Sequence, residues 1–400
     1  MKKARILFVD EHKIVNYAGG VERVICNFAN EFITRGYEIG IVYMDKDFGV
    51  PYFALNKNVD FINLAYVDGK DTFYHSNKWA IKKIKKEILR TVCGSEMRFF
   101  GRNIEDPKKE YFLSEFARRL HNVIKEFVPD IIVAISVDGA RIIHAALSGD
   151  EIPVIAMCHT DPNVFLPRLS DVQKEAWKKC KYVQVLLESF EKEMVQAGYG
   201  NVITVPNCVP QYSCKTNTIS NKYIVSVGRI DGSVKQQDLL IRAFSRIARN
   251  NTDWNVHIWG DVANKRYKRK LDDCIKKHDL YNRVLFEGTT DTIENVYDEA
   301  DIFVSTSKYE GFGLALAEAM SKGVVAIGYR GCAASKEIIG NDGLLFDDEQ
   351  SLAEAIQFLI DNPQERIRLG NLAHNAMKRY AENKIWDKWE EIFSRCIGVG

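Results

Sequence analysis

The sequence has no excess of charge, no paired cysteines and no long apolar run. Its 400 residues contain 55 Lys and Arg against 54 Asp and Glu, so no basic field predicts nucleic-acid binding. Nine cysteines are scattered singly, without a C-x-x-C pair or a histidine at zinc spacing, which predicts reduced thiols in a cytoplasmic protein. No segment approaches the ~20 consecutive apolar residues that cross a bilayer.

The N-terminus also lacks the pattern of a signal peptide. Basic residues precede an apolar run, but that run spans only residues 6–9 and stops at Asp10 and Glu11. A secretory h-region needs about 7–15 apolar residues. We therefore expect a cytoplasmic protein that is soluble or peripheral on the inner face of the cytoplasmic membrane.

Short β-rich runs alternate with helical stretches along both halves of the chain. This alternation predicts βαβ units with parallel sheets. The strands predicted for the first half are 5–10, 37–44, 130–137, 153–159, 182–187 and 202–206. Those predicted for the second half are 223–227, 255–259, 284–286, 301–305, 324–328 and 344–346. Two such halves predict an α/β fold with two facing Rossmann-like domains and a cleft between them.

The boundary between the two halves is predicted within residues 207–221. This run is polar and turn-rich, contains Pro210 and has no hydrophobic periodicity. It divides the chain into a domain of residues 1–207 and a second of residues 208–380.

A glycine-containing turn with two glutamates follows the predicted strand 301–305. Gly311 and Gly313 remove side chains where the next helix begins, which favours an anion site at the helix N-terminus. Glu310 and Glu318 would repel a phosphate unless each binds hydroxyl groups beside it. A nucleotide sugar has hydroxyls on both sides of its diphosphate. The alternative is an ordinary Rossmann-like turn with a solvated Glu318, and the stretch alone leaves both interpretations open.

Other polar residues follow the carboxyl ends of predicted strands, where ligands bind in such sheets. Arg229 and Lys235 are two cations suited to a diphosphate leaving group, or else a surface pair flanking a loop. His159 is either a catalytic or a structural histidine. The Gly19-Gly20 loop either binds phosphate or caps the following helix. We expect these residues to converge on one cleft.

No acidic pair has convincing metal geometry. Asp272-Asp273 falls in a helical stretch and Asp347-Asp348 in a loop. We therefore expect no obligate metal or cofactor, with Arg229 and Lys235 supplying the positive charge.

Residues 78–90 form a predicted amphipathic helix with six basic residues and one acid. Ile81, Ile84 and Ile88 share one face, and Trp79 is interpreted as interfacial. Such a helix can lie on an anionic membrane. The alternative is a solvated helix that packs its isoleucines on the domain.

With these motifs in view, the sequence resembles the family-four glycosyltransferases, which are retaining enzymes of the GT-B fold. Residues 310–320, EGFGLALAEAM, look like their Glu-x7-Glu motif almost letter for letter. Residues 226–229, SVGR, with Lys235 are similar to their Gly-Arg…Lys element, and residues 19–22, GGVE, resemble their N-terminal diglycine loop. The likeness covers essentially the whole chain.

The resemblance implies a role for each motif residue. The residues at the reacting centre would be His159, Arg229, Lys235 and Glu310. The donor-binding residues would be Gly19, Gly20, Gly311, Phe312, Gly313, Leu314 and Glu318. Within these sets, the Gly20 backbone and the two cations would hold the diphosphate, Glu310 the sugar hydroxyls and Glu318 the ribose. Residues 1–207 would bind the acceptor and residues 208–380 the donor. The terminal helices, about 381–400 with Trp386 and Trp389, would cross back onto the first domain.

The sequence departs from the family pattern at four places. The usual glycine after the lysine is Gln236, residues 231–234 form an unusual linker, the common proline after the motif leucine is Ala315, and a double-glycine turn reads Arg330-Gly331-Cys332. These differences loosen any inference about the donor sugar and leave the catalytic set intact.

The function expected from these features is retaining transfer of a sugar from a nucleotide-diphosphate sugar, UDP by family frequency. The acceptor would be a glycan or a lipid-linked glycan in cell-surface polysaccharide or lipopolysaccharide biosynthesis. The alternatives are a nucleotide-sugar epimerase of the same architecture and a non-catalytic sugar-nucleotide binding protein.

Overall fold

The computed structural model describes residues 3–17, 19–93, 98–99, 102–103, 106–149, 151–215, 221–232 and 234–398. The chain divides into two compact units. The first unit comprises Met1–Val185, Glu193–Thr204 and Glu390–Gly400, and the second comprises Leu186–Lys192 and Val205–Trp389. Part of the predicted linker, residues 216–220, lies outside the described residues.

The first unit contains a parallel sheet of seven strands in the order β11-β10-β9-β8-β1-β2-β3. These strands are β1 Arg5–Asp10, β2 Glu38–Tyr43, β3 Asp60–Asn63, β8 Ile131–Ala134, β9 Val154–Met157, β10 Tyr182–Val185 and β11 Val202–Thr204. Two short antiparallel pairs lie apart from it, namely β4 Tyr66–Val67 with β5 Lys70–Asp71, and β6 Arg98–Phe99 with β7 Arg102–Asn103. Apolar residues 6–9 of the central β1 are at most 1% exposed, as expected of a parallel strand covered on both faces.

The described helices up to residue 204 are α1 Gly20–Thr34, α2 Asn77–Cys93, α3 Pro107–Phe127, α4 Val137–Leu147, α5 Pro162–Phe165, α6 Asp171–Lys178 and α7 Glu188–Gln196. A short 3-10 helix, Leu166–Arg168, follows α5. Helix α1 buries Ile25, Phe28, Ala29 and Phe32, whose spacing of three and four residues places them on one face.

The second unit contains a parallel sheet of six strands in the order β14-β13-β12-β15-β16-β17. These strands are β12 Tyr223–Val227, β13 Asn255–Trp259, β14 Val284–Gly288, β15 Ile302–Ser305, β16 Val325–Tyr329 and β17 Leu344–Phe346. The accompanying helices are α8 Gln237–Ile247, α9 Lys265–Lys277, α10 Ile293–Glu299, α11 Leu314–Ser321, α12 Ala333–Ile339, α13 Glu349–Asp361, α14 Pro363–Met377 and α15 Glu382–Cys396, with a 3-10 turn at Lys378–Tyr380. The predicted α/β class with two parallel-sheet, Rossmann-like domains is confirmed.

The end of the C-terminal helix α15 belongs to the first unit. The Phe393 ring meets Phe32 edge-on at a centroid distance of 5.2 Å and lies 6.0 Å from Phe28. Glu390 accepts a hydrogen bond from Arg35 Nη1 at 2.8 Å and pairs with Lys3. Apolar and ionic contacts therefore hold the chain's last turns on this unit.

Helix α2 corrects one interpretation of the basic segment. Ile81, Ile84 and Ile88 are 60%, 61% and 58% exposed, so the expectation that they pack on the domain is wrong. Trp79 is half-buried instead, with its ring 4.7 Å from that of Phe73, and does not share the isoleucine face. No helix in the described residues is both long enough and apolar enough to cross a membrane.

Candidate functional site

In the second unit, an ion pair and hydrogen bonds link the loop after β12 to the loop after the neighbouring strand β15. Lys235 Nζ lies 2.5 Å from Glu310 Oε1. Thr306 Oγ1 donates a hydrogen bond to the Lys235 carbonyl oxygen at 2.6 Å, and the Lys308 N–H donates to the Val234 carbonyl at 2.8 Å. The structure thus brings together the cation and the carboxylate that the sequence motifs singled out.

The Gly-Arg…Lys element has a physical basis in the packing of Lys235. A Cβ on Gly228 would lie 3.1 Å from Lys235 Cδ and Cε, so a glycine lets the lysine side chain cross the strand end. The Arg229 carbonyl oxygen accepts a hydrogen bond from Nε2 of the buried Gln237 at 3.0 Å. The arginine side chain itself is exposed. A fixed backbone therefore presents a solvent-accessible guanidinium.

Gln236, where the family usually has glycine, adopts a left-handed conformation with φ 48° and ψ 43°. It immediately precedes α8. Glycine is favoured in this region because it has no Cβ to clash with the backbone. At this position the chain therefore has a residue with a side chain in a backbone conformation that favours glycine.

The turn that leads into α11 is held in place by the side chain of one of its own residues, Phe312. Gly313 has φ 86° and ψ 52° and begins the helix, a conformation that favours glycine. Phe312 is 3% exposed and meets the Tyr380 ring edge-on at 5.2 Å. Its side chain therefore anchors the turn, and only its backbone is available to a ligand. The first N–H groups of α11, from Leu314 onward, lack partners within the helix, as at any helix N-terminus.

Glu318 lies on α11 about one turn from its start, as expected, but it is only 2% exposed. Its Oε2 accepts a hydrogen bond from the hydroxyl of the buried Tyr297 at 3.0 Å. Sequence analysis missed Tyr297, which lies on the separate helix α10 and belongs to no motif. This hydroxyl fixes the orientation of the carboxylate, and the ribose contact stays a prediction.

In the first unit, Gly19 is the N-cap of α1 and Gly20 its first residue. A Cβ on Gly19 would lie 2.0 Å from Glu22 Oε2, so a larger residue there would displace the buried Glu22 side chain. A Cβ on Gly20 would meet nothing within 4 Å. The capping role is therefore present, and the phosphate role of this loop stays a prediction.

His159 follows β9 and has an unusual environment. Burial lowers the pKa of its imidazole to about 4, so the ring is neutral at pH 7. Its buried Nε2 has no hydrogen-bond partner among the described residues. No residue that the structure describes satisfies that nitrogen, unlike that of an ordinary structural histidine.

Two carboxylates after β1 were not singled out by the sequence analysis. Asp10 Oδ1 accepts from the His12 backbone N–H at 2.9 Å and lies 3.2 Å from His12 Nδ1, and this bond raises the pKa of His12 to about 9. Glu11 accepts a hydrogen bond from Ser136 Oγ, and burial raises the pKa of the Glu11 carboxyl to about 7. Ser136 follows β8, the strand beside β1.

The first unit thus has a polar cluster made of Asp10, Glu11, His12, Ser136 and His159. Buried oxygens of Asp10 and Glu11 also lack partners in the described part of the chain, as the imidazole nitrogen does. Such unsatisfied buried atoms are costly and suit a hydroxyl-rich ligand. Ligand-type atoms of Asp10, Glu11 and His12 lie within 4.8 Å of one another, a spacing that a metal ion could also use. Asp10, Glu11 and His12 lie at the carboxyl end of β1, and ligands bind at the carboxyl ends of strands in such sheets. Applying this rule to β1 would have found these three residues.

Two family profiles, each matching a different part, together cover most of the chain. The one described as Glycosyltransferase Family 4 matches residues 18–211, and the one described as Glycosyl transferases group 1 matches residues 215–376. The chain is 23% identical over 391 residues to a protein from Haemophilus influenzae named an uncharacterized glycosyltransferase, covering 94% of this chain and 97% of that one.

Two of the relatives that match over part of the chain are named as enzymes of surface polymers. The chain is 26% identical to a poly(ribitol-phosphate) alpha-N-acetylglucosaminyltransferase of Staphylococcus aureus, over 54% of this chain and 44% of that one. It is 27% identical to a lipopolysaccharide core biosynthesis mannosyltransferase of Rhizobium meliloti, over 41% of this chain and 48% of that one. The chain thus spans less than half the length of these two relatives.

Solved structures with the same fold cover nearly the whole chain. Sucrose-phosphate synthase from Thermosynechococcus elongatus matches with a TM-score of 0.77 at 16% identity, covering 100% of both chains. S. aureus TarM, solved with fondaparinux, alpha-GlcNAc-glycerol and UDP, matches with a TM-score of 0.74 at 16% identity over 98% of this chain and 100% of that one. With both family profiles matched in order, this chain belongs to the family-four glycosyltransferases, the glycosyl transferases of group 1.

Proposed function

We propose that this glycosyltransferase moves a hexosyl group from a nucleotide-diphosphate sugar to a glycan or lipid-linked acceptor with retention of anomeric configuration. The observation that carries the proposal is the Lys235–Glu310 pair at the glycine turn before α11. A cation and a carboxylate on adjoining loops suit a ligand that carries phosphate beside hydroxyl groups.

The donor contacts follow from this arrangement. The diphosphate binds Lys235 and Arg229, with the N–H groups of residues 311–314 facing the phosphate and sugar. Glu310 accepts hydrogen bonds from the sugar hydroxyls and Glu318 from the ribose. The exposed Arg229 side chain and the glycine turn support this assignment.

In the reaction, the bond from the anomeric carbon to the donor phosphate breaks while a bond to the acceptor oxygen forms on the same face. The leaving phosphate oxygen takes the acceptor's proton, so no protein nucleophile is needed. Arg229 and Lys235 stabilise the charge that grows on the diphosphate. His159, neutral at pH 7, hydrogen-bonds the reacting sugar or the acceptor near the bond that forms.

The acceptor belongs to cell-surface polysaccharide or lipopolysaccharide biosynthesis, and the nucleotide is UDP. The named activities of the Staphylococcus and Rhizobium relatives support the first statement. The TarM complex with UDP and an Anabaena HepE complex with UDP-glucose support the second. We place the reaction in the cytoplasm, at the inner face of the cytoplasmic membrane.

A thermal-shift panel of UDP-, GDP-, ADP- and TDP-sugars tests the donor site. A ligand that binds only the folded state raises the unfolding midpoint by mass action. We expect stabilisation by UDP-sugars, equally with Mg²⁺ and with EDTA, and loss of that stabilisation in Lys235→Ala. The exposed Lys384→Ala serves as the matched control. No shift at about millimolar ligand would contradict the donor site.

Product analysis of the stabilising donor separates transfer from the alternatives. A transferase hydrolyses or transfers the sugar and releases the nucleoside diphosphate. An epimerase converts the donor to another nucleotide sugar without an acceptor, and a non-catalytic binder leaves it unchanged.

A further inference from the structure

Helix α2 presents two different faces. Its inner side consists of Trp79, Lys82, Lys86 and Leu89, all half-buried and spaced by three or four residues. The Trp79 ring lies against Phe73, at 4.7 Å between centroids. The helix is therefore fixed to the first unit by this side.

The outer side of α2 carries Ile81, Ile84, Ile88 and Val92, here called the isoleucine face. These side chains are 60%, 61%, 58% and 67% exposed. Their spacing of three and four residues aligns them in one row, and at 100° per residue the row points away from the inner side. A contiguous exposed apolar row of this kind marks an interaction surface.

The charge of α2 indicates what this surface contacts. Residues 78–90 contain six basic residues and one acid. Lys86 pairs with Asp106 at 2.5 Å, and Arg90 lies 3.7 Å from Glu87. The remaining four lysines form no ion pair with any described residue; they are Lys78, Lys82, Lys83 and Lys85.

We propose that the isoleucine face is a docking surface for an anionic lipid bilayer. The isoleucines enter the boundary between headgroups and acyl chains, and the exposed lysines Lys78, Lys83 and Lys85 contact the anionic headgroups. This inference depends on the proposed function in one respect only: binding to the bilayer would bring the enzyme to a lipid-linked acceptor. Its binding chemistry needs neither donor nor acceptor.

Charge complementarity favours lipid over the other occupants. A second copy of this chain would bring two strongly basic helices together, and like charges repel. A phosphate-rich polymer explains the lysines but leaves the apolar row in water. An anionic bilayer satisfies both the charge and the apolar row.

Vesicle co-flotation of the full chain, without sugar donor or acceptor, tests the surface. The probes are phosphatidylcholine vesicles with and without about 30% phosphatidylglycerol. We expect binding to the anionic vesicles alone, weakened by about 0.5 M salt because screening removes the attraction of the lysines. The variant Ile81→Ser/Ile84→Ser/Ile88→Ser should lose about tenfold or more in partitioning.

Two further variants test the specificity of vesicle binding, and one further measurement reports on the donor site. Val172→Ser/Val195→Ser removes two equally exposed valines of the same unit and should bind as the parent does. Lys78→Gln/Lys83→Gln/Lys85→Gln should lose the preference for anionic vesicles. Parent-like vesicle binding by the triple serine variant, or no binding by the parent, would overturn the proposal. So would a parent dimer that the serine variant dissociates. UDP-sugar stabilisation measured on the same samples reports separately on the donor site.

Discussion

Lys235 and Glu310 form an ion pair of 2.5 Å between the loops that follow two adjacent strands. Their side chains are 24% and 18% exposed, so the pair is partly shielded from water yet open to a ligand. Each residue therefore sets the position of the other before substrate arrives. Substitutions of the two should nevertheless have different consequences, because one is expected to bind phosphate and the other hydroxyls.

Glu310→Ala should abolish turnover while nucleotide binding is largely retained. The alanine removes the sugar contact and leaves the Lys235 ammonium free for the diphosphate. We expect kcat to fall by about 100-fold or more, as for loss of one transition-state contact. Titration calorimetry with UDP and a transfer assay measure the two effects, with the exposed Glu354→Ala as control. Parent-like turnover in the variant would exclude Glu310 from the site.

Lys235→Ala should weaken binding of the nucleoside diphosphate itself, by on the order of tenfold or more, because a charge-assisted contact to phosphate is lost. The half-buried Glu310 carboxylate that remains should repel the phosphate. Calorimetry with UDP and with uridine separates the phosphate contribution, since uridine affinity should not change. An equal loss for both ligands would point to a folding defect instead.

Tyr297→Phe should disturb Glu318 without touching any predicted ligand contact. It removes the 3.0 Å hydrogen bond to a buried carboxylate, which costs about 1.5–3 kcal/mol of unfolding free energy. If Glu318 binds the ribose, KM for the donor should rise more than kcat falls. Urea unfolding and donor titration measure these effects. A stability loss with unchanged donor KM would remove the ribose role from Glu318.

Gln236→Gly should stabilise the second unit by roughly 0.5–1 kcal/mol, because glycine adopts φ 48° without a Cβ clash. Gln236→Ala keeps the Cβ and should give no such gain. Thermal unfolding of the three proteins compares them directly. A gain as large for alanine as for glycine would show that the side chain, and not the backbone, is responsible.

The pKa of Glu11, about 7 against a usual 4.5, should give stability a defined pH dependence. The folded state binds this proton more tightly than the unfolded state does. The Glu11 carboxyl therefore lowers the free energy of unfolding progressively as pH rises from about 4.5 to about 7. The loss amounts to at most about 3 kcal/mol.

Glu11→Gln removes this dependence. Its stability relative to the parent should increase from about pH 5 to about pH 7 and then level off. Denaturant unfolding across this range measures the difference, and His159→Gln provides a contrast, because a histidine pKa lowered to about 4 makes stability rise with pH from about 4 to about 6.5. A difference between Glu11→Gln and parent that is independent of pH would contradict the buried, protonated carboxyl.

Strands of the two parallel sheets could be predicted because they are short runs rich in apolar residues that alternate with helical stretches along the chain. β12, β13 and β17 have the predicted bounds, and β1 matches residue for residue. The edge strand β3, Asp60–Asn63, was missed, since a short strand with exposed residues has little periodicity. The motif residues of the second unit could be found because they follow strands directly.

Contacts that depend on tertiary packing could not be predicted. The Tyr297 hydroxyl meets Glu318 from another helix, at a sequence separation of 21 residues. The left-handed backbone at Gln236 has no signal in a glutamine. Ile81 and its neighbours have the periodicity of a buried face, and only the fold decides which side of α2 packs inward.

The position of Phe393 on Phe28 and Phe32 determines when the first unit can finish folding. Phe393 follows the second unit in the sequence, whereas α1 precedes it, so the aromatic ring that covers α1 is synthesised after that whole unit. During synthesis this part of the first unit's core therefore stays uncovered until Phe393 has been added to the chain. The unit whose synthesis starts first can therefore be completed only after the other unit has been synthesised.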